Sequence, residues 1–93
     1  MRAGGAIPMP KVPEADVYGR YFTERDRRML GMFLRDDGAS LEELHRLTMT
    51  RVPGYSYIRD ARRLAERLGG TAWWTGEGDG RKFGIRLPQS ERP

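Results

Sequence analysis

Four arginines stand within sixteen residues, Tyr55-Ser-Tyr-Ile-Arg-Asp-Ala-Arg-Arg-Leu-Ala-Glu-Arg-Leu-Gly-Gly70. Arginine suits phosphate and guanine recognition because its planar fork presents paired donors. Spacing decides what the four can reach. Ile58, Ala61, Leu64, Ala65 and Leu68 recur at intervals of three and four, which predicts a helix of three to four turns with one apolar face. At roughly 100° per residue, Ser56, Arg59 and Arg63 project from the opposite face, flanked by Arg62 and Arg67. Gly69-Gly70 closes the helix, since glycine accepts the left-handed conformation of C-terminal caps. A helix that buries one side and turns arginines outward has the form of a groove-entering DNA reader. The bland alternative is a solvated face, with Asp60 and Glu66 pairing locally with Arg62, Arg63 or Arg67.

Other chemistry is sparse. The chain has no cysteine and one histidine, and no cluster of acids converges on one face, so neither an enzyme nor a catalytic residue, metal ligand set or cofactor site is expected. Gly76-x-Gly-x-Gly80 lacks the spacing of a phosphate loop and no helical pattern follows it, so it reads as a hairpin turn. His45 lies beside an apolar stripe and reads as a boundary packing residue.

The elements that must position the arginines follow from local signals. A chain of 93 residues is one small domain that buries about 60–65% of its unfolded surface. Residues 1–20 hold Pro8, Pro10 and Pro13 without helical or strand period, and read as a flexible arm with a short ordered piece near residues 17–22. Thr23 with Asp26 marks a first helix over residues 24–36, with Met29, Leu30, Phe33 and Leu34 inward. Ser40 with Glu43 is a capping box opening a second helix over residues 41–48, with Leu41, Leu44 and Leu47 inward. Thr50, Pro53 and Gly54 mark a connection, and Ser56 is the expected N-cap of the third helix.

After Gly70 the period changes to two. Residues 71–75 and 81–87 read as two strands, with Phe83, Ile85 and Leu87 inward and Lys82 and Arg86 outward. The glycines between them suit a hairpin loop. Trp73 and Trp74 are adjacent and must point to opposite faces, so one of them should be exposed and available to a protein partner. Residues 89–93 form a short tail.

The net charge is +4, and residues 51–70 carry five cations against two anions. Arginine supplies 15 of the 17 basic residues, a bias GC-rich coding also produces, so placement rather than number carries the inference. No segment approaches the roughly 18–20 apolar residues of a membrane span, and no signal peptide is recognisable, so a cytoplasmic location is expected, nucleoid-associated for a DNA binder.

Ser40-x-x-Glu43, the leucine-spaced second helix, Ile58-x-x-Ala61-x-x-Leu64-x-x-x-Leu68-Gly69-Gly70 and the hairpin that follows resemble the winged helix-turn-helix. The likeness spans residues 23–87 and is similar to the general pattern of MarR, PadR and ArsR-like repressors, without choosing among them. It implies an α+β domain over residues 21–88, three helices followed by a two-stranded wing. It also implies sequence-specific binding of double-stranded DNA by a small transcriptional regulator acting as a homodimer. On this pattern Ser56, Arg59 and Arg63 face the major groove, while Tyr55, Ser56 and Arg62 touch phosphates. The helix starts at Ser40 and Ser56 clamp backbone, and Arg81 and Lys82 of the wing lie on flanking phosphates. About six such contacts would weaken binding on the order of 10³-fold between about 50 and 200 mM salt. Glu77 and Asp79 at the wing tip oppose that role. The competing readings are a winged helix that binds protein, such as a phage-encoded inhibitor or assembly factor, and an excisionase-like recombination accessory protein.

Overall fold

Chain order in the computed structural model is α1 (Glu24–Phe33), β1 (Ala39–Ser40), α2 (Leu41–Thr48), α3 (Gly54–Leu68), β2 (Thr71–Thr75) and β3 (Lys82–Arg86), and residues 11–77 and 80–88 are described. The expected arm residues 1–10, Asp79 at the wing tip and the tail 89–93 lie outside the described residues. The architecture is α+β, three helices against a three-stranded antiparallel sheet of order β1-β3-β2.

Local chemistry explains most boundaries. Thr23 caps α1 by accepting the Asp26 amide at 3.0 Å, and the stripe Met29, Leu30 and Phe33 is fully buried. The helix stops at Phe33, three residues short of the expected end. There the chain turns through a bond from the Gly38 amide to Arg35 O, with Gly38 at φ 70. Arg35 then donates to Gly38 O from two guanidinium nitrogens. The capping box of α2 forms in both directions: the Glu43 amide donates to Ser40 Oγ at 3.1 Å and the Ser40 amide to Glu43 Oε1 at 2.9 Å.

α3 starts two residues before the expected cap. Its N-cap is Pro53, with no side-chain capping bond, and the Ser56 amide already donates to Pro53 O at 3.0 Å. Ser56 therefore sits inside the first turn. The apolar stripe behaves as its spacing requires. Tyr57, Ala61, Leu64, Ala65 and Leu68 are buried, and Ile58 packs against their edge. The Tyr57 hydroxyl lies 3.0 Å from Thr48 Oγ1, which ties the two helices at their connection. Gly69, at φ 73, ends α3 as expected.

The hairpin is present, but the sheet has three strands, not two. Ala39↔Phe83 and Ser40↔Lys82 add the two-residue β1 to the far side of β3. Two residues are too few to display an alternation, and they coincide with the α2 cap. β2 pairs with β3 from Thr71↔Arg86 to Thr75↔Lys82. Phe83 and Ile85 are buried as expected, whereas Leu87 lies past the end of β3 and is exposed. Trp73 lies on the outer face of the sheet, against the backbones of Gly38 and Gly84, where a Cβ would collide with its ring. Trp74 is the exposed tryptophan, at 40%.

Residues 11–22, expected largely as part of the arm, pack on the domain. Ala15↔Tyr21 form an isolated bridge and Phe22 joins the core. At their centre is Asp16, whose side chain is fully buried.

Candidate nucleic-acid interface

The buried stripe of α3 faces the sheet and α1, so its opposite side is left to solvent. There stand Tyr55, 63% exposed, then Arg59, Arg62 and Glu66, all exposed. Arg59 and Arg62 have no acidic partner within ion-pair distance among the described residues. Arg62 leans toward β2, its guanidinium carbon 5.6 Å from the Trp74 ring centroid. Cation–π contact of this kind uses the face of the guanidinium and leaves donors free at its edge.

The two remaining arginines of the helix have other work. Arg63, expected to face the groove, turns toward α1 and donates to Asp26 Oδ1 at 3.0 Å and Oδ2 at 3.5 Å, with Asp60 Oδ1 also 3.5 Å away. Asp26 was legible as a helix-start acid that suits the dipole of α1. Its carboxylate instead serves as the socket of Arg63 and sits 3.5 Å from Arg67 Nη1. Arg67 is largely buried: it meets Asp16 Oδ2 at 2.6 Å, donates to Tyr21 O at 3.2 Å and lies 4.3 Å from the Phe22 ring centroid. Asp16 also accepts the amides of Tyr18 and Arg20, each at 2.9 Å. Burial opposes its charge, but the Arg20 amide, the Arg67 guanidinium and the Tyr18 amide together hold its carboxyl well below the usual carboxylate range. Asp26 is depressed in the same sense: burial works against its charge, and Arg63 and the Thr23 cap outweigh it. That pairing raises Arg63 in turn.

Three other expected contacts occupy modified surroundings. Ser40 spends its hydroxyl and its amide on the capping box, and the Glu43 carboxylate, held further by Arg35 at 2.8 Å, occupies the start of α2. A carboxylate at that position opposes a phosphate, which weighs against the expected clamp at Ser40. Ser56, half-buried, is not the cap of α3; the helix start expected there lies two residues earlier, at Gly54. Lys82 approaches Asp37 at 3.8 Å, a partly solvated pair.

Arg81 is better placed. It stands where the hairpin returns, close enough to fill the space above Gly54, with its guanidinium carbon 5.8 Å from the Phe83 ring centroid. The first amides of α3 lack a side-chain cap, so Arg81 and that helix start form one electropositive corner beside Tyr55. Tyr55, Arg59 and Arg62 thus lie exposed along α3 with Arg81 beside its start, whereas Ser40, Arg63 and Lys82 are engaged by Glu43, Asp26 and Asp37. His45 is a packing residue, its Nε2 2.9 Å from Val52 O and its ring 5.7 Å from that of Tyr57.

Asp16 and Asp26 escaped sequence reading in their real roles. Asp16 had one available signal, an aspartate followed by Gly19, which suits a side-chain-stabilised turn. Among the described residues no group of three or more potential ligands could hold a metal ion, and no helix is long and apolar enough to cross a membrane. Comparison with protein-family models, with curated proteins and with solved structures gives no match to this chain.

Proposed function

We propose that the domain is a winged helix that binds double-stranded DNA, with α3 in the major groove and the β2–β3 hairpin along flanking backbone, in the service of transcriptional regulation. One observation carries the reading. On the outward side of α3, Arg59 and Arg62 have no ion-pair partner among the described residues, while the arginines on its α1 side are neutralised by Asp26 and Asp16. The order α1-β1-α2-α3-β2-β3 supports it, because it sets a two-stranded ribbon directly after the exposed helix. Arg59 reads base edges or phosphate, Tyr55 and Arg62 flank it, and Arg81 meets the adjacent phosphate. A nucleoid-associated place in the cytoplasm follows from that role.

With three cations at the interface instead of six contacts, binding to a duplex should weaken about 40-fold between about 50 and 200 mM salt. Fluorescence anisotropy across a salt series tests this directly. Duplex affinity that ignores salt, or that survives Arg59→Ala combined with Arg62→Ala, would remove this face of α3 from the reading, and the absence of duplex binding at low salt would remove DNA. Exposed Trp74 favours a second reading, a protein-binding winged helix, for which the same double substitution would leave duplex mobility unaltered because there is no binding to lose.

A further inference from the structure

β2 is an edge strand, and its free side is undefended. In the order β1-β3-β2 its outer backbone groups have no sheet partner among the described residues, and its sequence Thr71-Ala-Trp-Trp-Thr75 holds neither charge nor proline. Natural edge strands are ordinarily blunted by one of those devices or by a bulge. The register with β3 sets Ala72 opposite Ile85 and Trp74 opposite Phe83, so Ala72 and Trp74 share the core face, while Trp73 lies on the outer one. Beneath the free edge runs an open groove lined by Arg62, Ala65, Glu66, Gly70 and Ala72.

We infer that this edge pairs antiparallel with the same edge of a second copy, Trp73 opposite Trp73, in a two-fold dimer with one continuous six-stranded sheet. Three features select a second copy as the occupant. First, a two-fold axis perpendicular to a sheet preserves its faces, which confines the pairing to registers where like faces meet. Centring on Trp73 satisfies this and sets Thr71 opposite Thr75, polar against polar at both ends. Second, that register sets Trp74 of each copy opposite Ala72 of the other, the largest residue of the core face against the smallest, at the mouth of the groove. Trp74 is 40% exposed in the monomer and has apolar surface to cover. Third, Arg62 and Glu66 give the groove one cation and one anion, neither ion-paired among the described residues, so two copies meet there without net repulsion. The pairing draws on the β2 edge and the α3 residues beneath it, and holds whether or not the domain binds DNA.

The absence of cysteine makes the register testable. Residues directly opposite in an antiparallel pair have Cα atoms about 4.5–5.5 Å apart, within disulfide reach. Within one chain, positions 71 and 75 are about 13 Å apart along the strand. Thr71→Cys and Thr75→Cys alter exposed positions. Oxidising an equimolar mixture of the two variants should give a covalent dimer containing one of each, while either variant alone should give far less. Wild-type protein in sedimentation equilibrium, without DNA, should show reversible dimer at tens to hundreds of micromolar, and Trp74→Lys should shift it to monomer. A mixture that crosslinks no better than its components would overturn the register. Wild-type protein that stays monomeric throughout, including the case where the edge takes an unrelated peptide instead, would overturn the dimer.

Discussion

Arg59 and Arg63 stand four residues apart on one helix, and their substitution to alanine should produce opposite phenotypes. Arg63→Ala removes the bidentate partner of Asp26, a carboxylate whose side chain is only 8% exposed. Breaking a fully buried ion pair costs about 3–5 kcal/mol. Two features reduce that here. The Arg63 side chain is 44% exposed, so water already screens the pair, and Arg67 remains 3.5 Å from the same carboxylate. The expected loss is therefore about 1–2 kcal/mol. For a domain of this size that lowers the melting temperature by about 5–15 °C. Arg59→Ala removes a solvated side chain that has no ion-pair partner among the described residues and should leave the melt within about 2 °C. Its cost should appear in duplex affinity, about 10- to 100-fold at low salt if it contacts a base edge. Circular dichroism melts and anisotropy titrations on the same preparations separate the two effects. The reasoning fails if Arg63→Ala melts like wild type yet loses DNA, since Arg63 would then leave Asp26 to reach the duplex. It fails equally if Arg59→Ala binds as wild type does.

Three further outcomes follow from the packing. Gly84→Ala should cost about 1–3 kcal/mol and shift tryptophan emission, because the Trp73 ring occupies the space of the new Cβ; an unchanged spectrum and melt would show the ring is not seated there. Ser40→Ala should cost about 1 kcal/mol through loss of the α2 capping box, read as a melting temperature lower by about 4–8 °C, and a smaller effect would mean that Arg35 alone holds Glu43 in place. Asp16, Asp26 and Glu43 are all more acidic folded than unfolded, so the unfolded chain binds more protons in acid: their stabilisation is complete above the ordinary carboxylate values of 3.8 and 4.5 and is lost as pH falls through the depressed folded values. Melting temperature should thus fall steeply below about pH 4 and hold between about pH 5 and 7, with a shallower acid limb in Asp26→Asn; a flat profile down to about pH 3 would contradict the ion-pair geometry.

What the sequence made legible is what neighbouring residues decide. The Ser40/Glu43 box, the stripe from Tyr57 to Leu68, the Gly69 cap and the hairpin after it all depend on residues within a few positions of each other. What it hid depends on distant pairs. Arg63 meets Asp26 across 37 residues and Arg67 meets Asp16 across 51, and no periodicity within α3 distinguishes an arginine with such a partner from one without. The helical wheel set Arg59 and Arg63 on one face, only 40° apart by the ideal angle of about 100° per residue. That small rotation turns one toward α1 and leaves the other in water. Likewise the two residues of β1 carry no alternation to mark a strand, and the permissive start at Pro53-Gly54 has no polar side chain to mark a cap, which leaves Ser56 as the nearest local signal.

The partition of the arginines bears on how much electrostatic attraction one domain can offer. Arg67 satisfies a buried carboxylate and a backbone carbonyl and lies over an aromatic ring, a set of contacts that needs the planar fork and its face. It builds the turn that holds Phe22 in the core, so its charge is already spent inside the molecule. Arg63 is spent against Asp26 and Asp60. Across the outward side of α3 the field among the described residues is that of Arg59 and Arg62, diminished by Glu66, with Arg81 beside the helix start to add charge. Three cations make a weak single grip on a duplex at physiological salt. A second copy joined at the β2 edge would set two such faces on the same side of one sheet and double the cations on one ligand. Because tethered contacts multiply rather than add, affinity would then depend steeply on protein concentration. A duplex titration that is sigmoidal in wild type and hyperbolic, with weaker affinity, in Trp74→Lys is what this coupling of edge and interface requires.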